Sequence, residues 1–405
     1  MKIDKSNPVH WLRLLAFGLA TLTAIALRLL RRRPRRKRVL FYGHRLTGNL
    51  LPIYEKLAAV GASVEVGFLT MDPSYRNDLR NSGATAVLAG SLQAIDWLSS
   101  MEAVVSDHGL HAMQPMLHLS DVKFFDVWHG IPFKGFDLND FRVQRRYEEV
   151  WVASPLLADI YRSRFGFDAT RLIATGYART DILVNGSLTP EEVRSELGIS
   201  GGGPMVLFAP TWQQDTPRRS AYPFGTDADT FLDAMSAIAV KHGATILVRG
   251  HLNDRSIATR LREGVVNVPF AAYPLTERLL LATDVLVCDW SSIAFDFLLL
   301  NRPAIFVDVP PPFSKGLTLD ASWRFGEVVG SMEALIRAVE RAVTRPADLM
   351  SAHGDHMRAV RGRLYGGMDD GRATERCVDR LLAAIGLDGI GKSIDKPAND
   401  APAIR

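Results

Sequence analysis

The sequence predicts an α/β protein of two doubly wound, Rossmann-like domains, and two observations carry that expectation. Short runs rich in β-branched residues alternate with helix-length stretches, the pattern of βαβ units in a parallel sheet. The alternation breaks at a Gly-Gly-Gly-Pro stretch, residues 201–204, and then restarts. At 405 residues the chain is long enough for two separate cores.

The first element is an apolar stretch at 9–30, whose uncharged part, residues 14–27, covers 14 positions. That is short of the roughly 20 residues that cross a bilayer. Arg13 and Arg28 at its two ends can snorkel and lengthen it. The block RRRPRRKR at 31–38 then offers positive charge to anionic membrane lipids. Three readings fit: an interfacial anchor, a single span, or a solvated basic linker behind a buried helix. No small-residue cleavage site follows, and the dense charge lies on the wrong side for a signal peptide. Residues 1–37 are therefore expected to be a membrane-associating helix and polybasic segment. They would hold the body at the cytoplasmic face of the inner membrane, as a peripheral or single-pass protein.

In the body, strands are expected at 38–43, 63–69, 86–88, 103–106, 123–127, 149–153 and 172–174. Helices are expected near 49–59 and 155–165, which makes 38–190 the first domain. Thr189-Pro190-Glu191-Glu192 opens a capped helix inside an interdomain linker. The second domain, 204–386, has strands expected at 205–208, 245–248, 265–268, 284–288 and 304–307, with helices at 332–344 and 371–386. The tail 387–405, rich in Gly, Lys, Asp and Pro, is expected to be disordered. Two such halves facing a cleft form the arrangement called GT-B.

Charge is unevenly placed. Residues 1–38 hold eleven Lys or Arg and one acidic residue, so they carry about +10 and the remainder about −6. The basic excess belongs to one segment and gives no support for nucleic acid as a partner. The two cysteines, Cys288 and Cys377, have no metal or disulfide spacing.

Candidate chemistry lies at the ends of the expected strands, where open α/β sheets bind ligands. In Asp289-Trp290-Ser291-Ser292 a strand ends in an acid, and two hydroxyls open a helix. The helix N-terminus can hold a phosphate, Asp289 a ribose or acceptor hydroxyl, and Asp296 faces the same side one turn on. His129 in Trp128-His129-Gly130 has the pKa range of a general base, or is a structural turn residue; Lys134 nearby can meet phosphate charge. Arg249-Gly250-His251 offers a phosphate contact or a proton donor, or simple surface polarity. Thr211 can bond phosphate, and Trp212 can line a pocket or a core. Arg179 and Asp181 can contribute to a site or pair with each other at a hinge. His108 and His111 beside Asp107 have metal-like spacing without a third ligand, so neither metal nor other cofactor is expected. There is no P-loop and no GxGxxG fingerprint.

Over residues 38–386 the order of motifs resembles the CDP-glycerol glycerophosphotransferase family, the teichoic acid primases and polymerases. The resemblance rests on GHRLTGNLLPIYEKL, WHGIPFKG, GYARTDIL, APTW, RGH, DWSSIAFDFLLLNRP and DDGRATER. It implies a GT-B enzyme that transfers glycerol or ribitol phosphate from a CDP-activated donor to a hydroxyl on a lipid-linked glycan or polymer. By that resemblance His129 is the catalytic base and His251 a second catalytic histidine. Arg249, Thr211, Asp289, Ser291, Ser292 and Asp296 match the donor-binding side. The chain departs from the family pattern at Gln213, Leu252 and Trp290, where Arg, Pro and Tyr are frequent. The rival readings are a GT-B glycosyltransferase using a nucleotide sugar, and a non-catalytic membrane-tethered nucleotide-binding protein.

Overall fold

The computed structural model describes residues 7–30, 36–186, 188–199, 201–211, 222–250 and 262–387. His251, Trp212, Gln213, Leu252, most of the polybasic block and the C-terminal tail lie outside them. The described residues form two compact units. The first contains the residues up to His129, Leu138–Asp181 and those from Arg372; the second contains Gly130–Asp137 and Ile182–Gly371.

In the first unit the strands are β1 (Arg38–Tyr42), β2 (Glu65–Thr70), β3 (Ala86–Leu88), β4 (Ala103–Ser106), β5 (Lys123–Asp126), β6 (Glu149–Val152) and β7 (Leu172–Ala174). They pair in parallel in the order β3-β2-β1-β4-β5-β6-β7. Helices cover both faces of such a sheet, which is why β1 reads as an unbroken buried run rather than an alternating one. Its core includes Val39, Phe41, Phe68, Val105, Phe125 and Trp151.

The second unit carries β8 (Met205–Ala209), β9 (Thr245–Val248), β10 (Val265–Asn267), β11 (Val285–Cys288), β12 (Ala304–Val307) and β13 (Glu327–Val329). Their order is β10-β9-β8-β11-β12-β13, again parallel. The order reverses between β1 and β4 in one sheet and between β8 and β11 in the other, and a crevice for ligands opens at such switch points.

Four features differ from the sequence expectation. Helix Ala373–Ala384, placed by sequence in the second half, packs its Cys377, Val378, Leu381 and Leu382 into the first core. Segment Gly130–Asp137 belongs to the second unit although it follows β5 directly. The expected linker contains helix Pro190–Glu196, whose Thr189–Glu192 capping box is formed as read. That helix is bound to the second unit, with Arg194 on Asp284 and Gly203 and Glu196 on Arg278 and Tyr273. Finally, β13 and the 20-residue helix Pro346–Tyr365 have no counterpart in the sequence reading.

The apolar stretch forms helix α1 (Pro8–Leu29), long and apolar enough to cross a membrane. One face is docked on the first unit, burying Phe17, Ala20, Thr21, Ala24 and Ile25 against helix Leu92–Ser100 and the turns that follow β4. Arg28 does not snorkel. Its guanidinium is clamped by Asp121 and by the carbonyls of Ser99 and Met101. The opposite face, with Trp11, Leu12, Leu15, Leu19 and Leu22, is exposed.

Candidate active site

Three neighbouring strands of the first sheet, β1, β4 and β5, lead into His44, Asp107-His108 and Trp128-His129. The rings form a ladder. His44 and His108 lie with centroids 4.2 Å apart, and His108 and His129 stack at 4.7 Å with an interplanar angle of 10°. His129 Nδ1 donates to the Asp107 carbonyl at 3.0 Å, which leaves Nε2 with the lone pair. Its pKa is displaced downward, first by lost hydration and then by His108, although the residue as a whole is exposed. His129 thus has a defined basic atom, and its surroundings favour the neutral ring.

The turn that presents it is strained and tightly held. Trp128 has φ 33°, a left-handed conformation that disfavours a side chain. Buried Asn49, at the start of helix α2 (Leu50–Ala58), donates through Nδ2 to the carbonyls of Val127 at 2.8 Å and Trp128 at 2.7 Å. The Trp128 amide donates to Asp126 Oδ2 at 3.2 Å. Arg179 completes the frame, donating from its amide to Asn49 and from its guanidinium to the His129 carbonyl at 2.8 Å. Asp181 faces elsewhere: its carboxylate accepts the amides of Ala373 and Thr374 and caps the C-terminal helix. Arg179 and Asp181 therefore have separate tasks. Gly43 is needed because a Cβ there would overlap the Asp107 carboxylate.

Below the turn, Asp126 is fully buried, and its Oδ1 has no hydrogen-bond partner. Burial, then the charge of Asp107, push its pKa up to about 8, so it is protonated at neutral pH. Asp107 instead receives His108 Nδ1–H at 2.6 Å, and that pairing raises the His108 pKa against the opposing effect of burial.

In the second unit, Thr211 and Asp289 lie beyond the ends of β8 and β11, at the other switch point. The Asp289 carboxylate, read from sequence as a ligand for a ribose or acceptor hydroxyl, accepts the Thr211 amide at 2.8 Å, the Thr211 hydroxyl and the Trp290 amide at 2.6 Å. It ties the two strand ends together. Ser292 precedes the short helix Ile293–Leu298 without a side-chain cap bond. The amides of Ala294 and Phe295 turn back onto the carbonyls of Ser291 and Ser292. The serine hydroxyls, not a capped helix end, are the polar feature here. Asp296 is buried within that helix.

Trp290 is explained by packing. Its indole N–H donates to the Val309 carbonyl at 2.7 Å, Phe133 meets its ring edge-on and Arg324 lies 4.5 Å over its face. Arg249 is buried after β9, donating to the Tyr273 carbonyl and the Thr276 hydroxyl, both at 2.8 Å. It fastens the loop before helix Thr276–Ala282, and burial lowers its pKa to about 10. Lys134 sits in the crossing segment, its ammonium 5.5 Å over the Phe136 ring. Among the described residues no cluster of His, Cys, Asp and Glu is placed to hold a metal ion.

The sequence reading named His129, Thr211 and the serines, did not name Asn49, His44 or Asp126, and saw Asp107-His108 only as an incomplete metal motif. For His44, Asp107-His108 and Asp126 a signal existed: a polar residue at or just beyond the carboxyl end of a strand in a sheet that is otherwise apolar.

A family model described as CDP-Glycerol:Poly(glycerophosphate) glycerophosphotransferase matches residues 25–383. The chain is similar to the teichoic acid glycerol-phosphate transferase of Staphylococcus aureus (strain NCTC 8325 / PS 47), at 26% identity over 286 residues, 64% of this chain and 71% of that protein. It is 24% identical over 288 residues to the teichoic acid ribitol-phosphate polymerase TarK of the same strain, and there spans about half of the relative, 52%, with 64% of its own length. The solved structure of the wall teichoic acid polymerase TagF matches with a TM-score of 0.72 at 19% identity, covering 92% of this chain and 98% of that one. A TagF structure soaked with CDPG matches with a TM-score of 0.70. The structural likeness establishes a shared GT-B fold. With its model matched across both sheets and both strand-end clusters, the chain belongs to the CDP-glycerol:poly(glycerophosphate) glycerophosphotransferase family.

Proposed function

We propose that this chain transfers a polyol phosphate, glycerol phosphate foremost, from a CDP-activated donor to a hydroxyl of a lipid-linked glycan or polymer. The setting is teichoic-acid-like or capsular polymer synthesis at the cytoplasmic face of the membrane. One observation carries this reading: just beyond β5, His129 has its Nδ1–H bound to the Asp107 carbonyl, which leaves Nε2 to take a proton. Family membership and the soaking of CDPG into TagF support the donor class.

In the reaction, His129 Nε2 removes the acceptor's hydroxyl proton. The new oxygen–phosphorus bond forms at the β-phosphorus of the donor, and the bond to the bridging oxygen breaks, so CMP leaves with the electron pair. Ser291, Ser292 and Lys134 meet the pyrophosphate, and His251 assists the departing phosphate. Asp289 and Arg249 act by holding Thr211 and the loop around Tyr273 in place. Positioning and fixed charge provide most of the rate, as in phosphoryl transfer generally.

We also place α1 in the membrane interface. Its docked face and the Arg28 clamp favour a helix lying along the surface, with its exposed leucines in the acyl boundary and the polybasic block on anionic lipids. Phe17, on the docked face of α1, packs with its ring centroid 6.0 Å from that of Tyr42 at the end of β1.

The test is nucleotide release from CDP-glycerol, CDP-ribitol and UDP-sugars with lipid-linked acceptors. CMP release from a CDP-polyol is expected; UDP release alone would mean a glycosyltransferase. His129→Ala should abolish CMP release, while CDP-glycerol still raises the melting temperature nearly as in wild type. Turnover of that variant at the wild-type rate would refute the base assignment.

A further inference from the structure

The imidazole ladder contains a group the proposed reaction does not use. His108 touches both the Asp107 carboxylate, at 2.6 Å, and the face of His129, with the rings within 10° of parallel. Asp107 in turn holds His129 through its backbone carbonyl. One dipeptide at the end of β4 therefore binds the base twice, once through a carbonyl and once through a ring.

We propose that Asp107-His108 is a positioning pair that sets both the orientation and the charge state of His129. The role rests on His129 acting as the base.

The chemistry follows from the contacts. A carboxylate at ion-pair distance keeps the proton on His108, and a cation over the face of a neutral ring is attractive, whereas two stacked imidazolium rings repel. The favoured state is charged His108 on neutral His129, so the base stays ready as pH falls. The groups that face the pair fit that state. Asp126 is protonated, His44 is held neutral by burial and by His108, His111 is likewise lowered, and Arg179 binds the His129 carbonyl. Tyr42 fixes His111 at 2.8 Å, so its ring is not available to take the place of His108.

The experiment is an NMR titration of selectively labelled histidines in the full chain, beside the pH dependence of kcat/KM for CMP release. His108→Phe keeps a flat ring on His129 but removes the charge. It should raise the His129 pKa by about one pH unit and move the acid limb of the rate profile up by the same amount. Asp107→Asn leaves the backbone carbonyl in place, lowers the His108 pKa and should preserve the Nδ1–H tautomer of His129. An unchanged His129 pKa in His108→Phe, or a loss of rate that is uniform across pH, would overturn the proposal. If no donor is turned over, the base assignment falls while the titration still decides whether His108 controls the charge of His129.

Discussion

Asp126 lies under the turn that carries His129, and its state should be visible in stability. The unfolded chain releases this proton near the ordinary value of 3.8, whereas the folded chain keeps it to about pH 8. Between those values the folded state binds more protons, so the contribution of Asp126 to stability falls as pH rises through that window. Asp126→Asn should therefore melt higher than wild type at pH 8, with the gap closing toward pH 5. Equal pH dependence in both would mean that the acid ionises normally. Asn49 offers a second residue-level test. Asn49→Ala leaves the Val127 and Trp128 carbonyls unbonded, and losing a buried partner costs about 1–3 kcal/mol per orphaned group. The strained Trp128 turn should relax, so activity should drop further than the loss of stability explains. The sequence reading could see that His129 follows a strand. It could not see Asn49, because the contact joins positions 78 and 79 residues apart.

At the level of elements, α1 has two apolar faces, one docked on the first unit and one exposed. Phe17→Ala should destabilise the protein by about 3–5 kcal/mol, because that side chain is fully buried on the first unit. The double change Leu15→Glu and Leu19→Glu should leave the melting temperature unchanged. It should weaken sedimentation with anionic vesicles at least about tenfold, since each residue withdraws apolar surface from the lipid. If vesicle binding survives, the exposed face is not the membrane contact. Composition revealed this helix, and hydropathy alone left three arrangements open. The Arg28 clamp favours the interfacial arrangement proposed above, because snorkelling and clamping use the same guanidinium.

Across the whole molecule, the chain passes between its units at His129–Gly130, Asp137–Leu138, Asp181–Ile182 and Gly371–Arg372. The first unit is thus completed by the C-terminal helix, whose first amides Asp181 caps and whose Arg380 and Arg376 bind Glu149 and the Thr175 carbonyl. Removing residues from 372 onward should unfold the first unit, even though its sheet lies wholly within 38–174. A truncated chain with a wild-type melting profile would show the helix to be dispensable. The same crossing divides WHGIPFKG: His129 remains with the first unit, and Lys134 packs in the second, where the Thr318 hydroxyl donates to its carbonyl.

What the sequence by itself determined is the α/β class and the family, and it named the strand ends where candidate chemistry lies. Those depend on local patterning and on motifs read within a few residues. The tertiary structure alone decided which of those side chains reach outward. Asp289 and Arg249 look like ligand residues in sequence, yet they bond neighbouring loops, while the stacking of His108 on His129 is visible only in the folded chain. A side chain's chemistry is written in its type, but its partners are set by the strand order, which brings β1, β4 and β5 side by side.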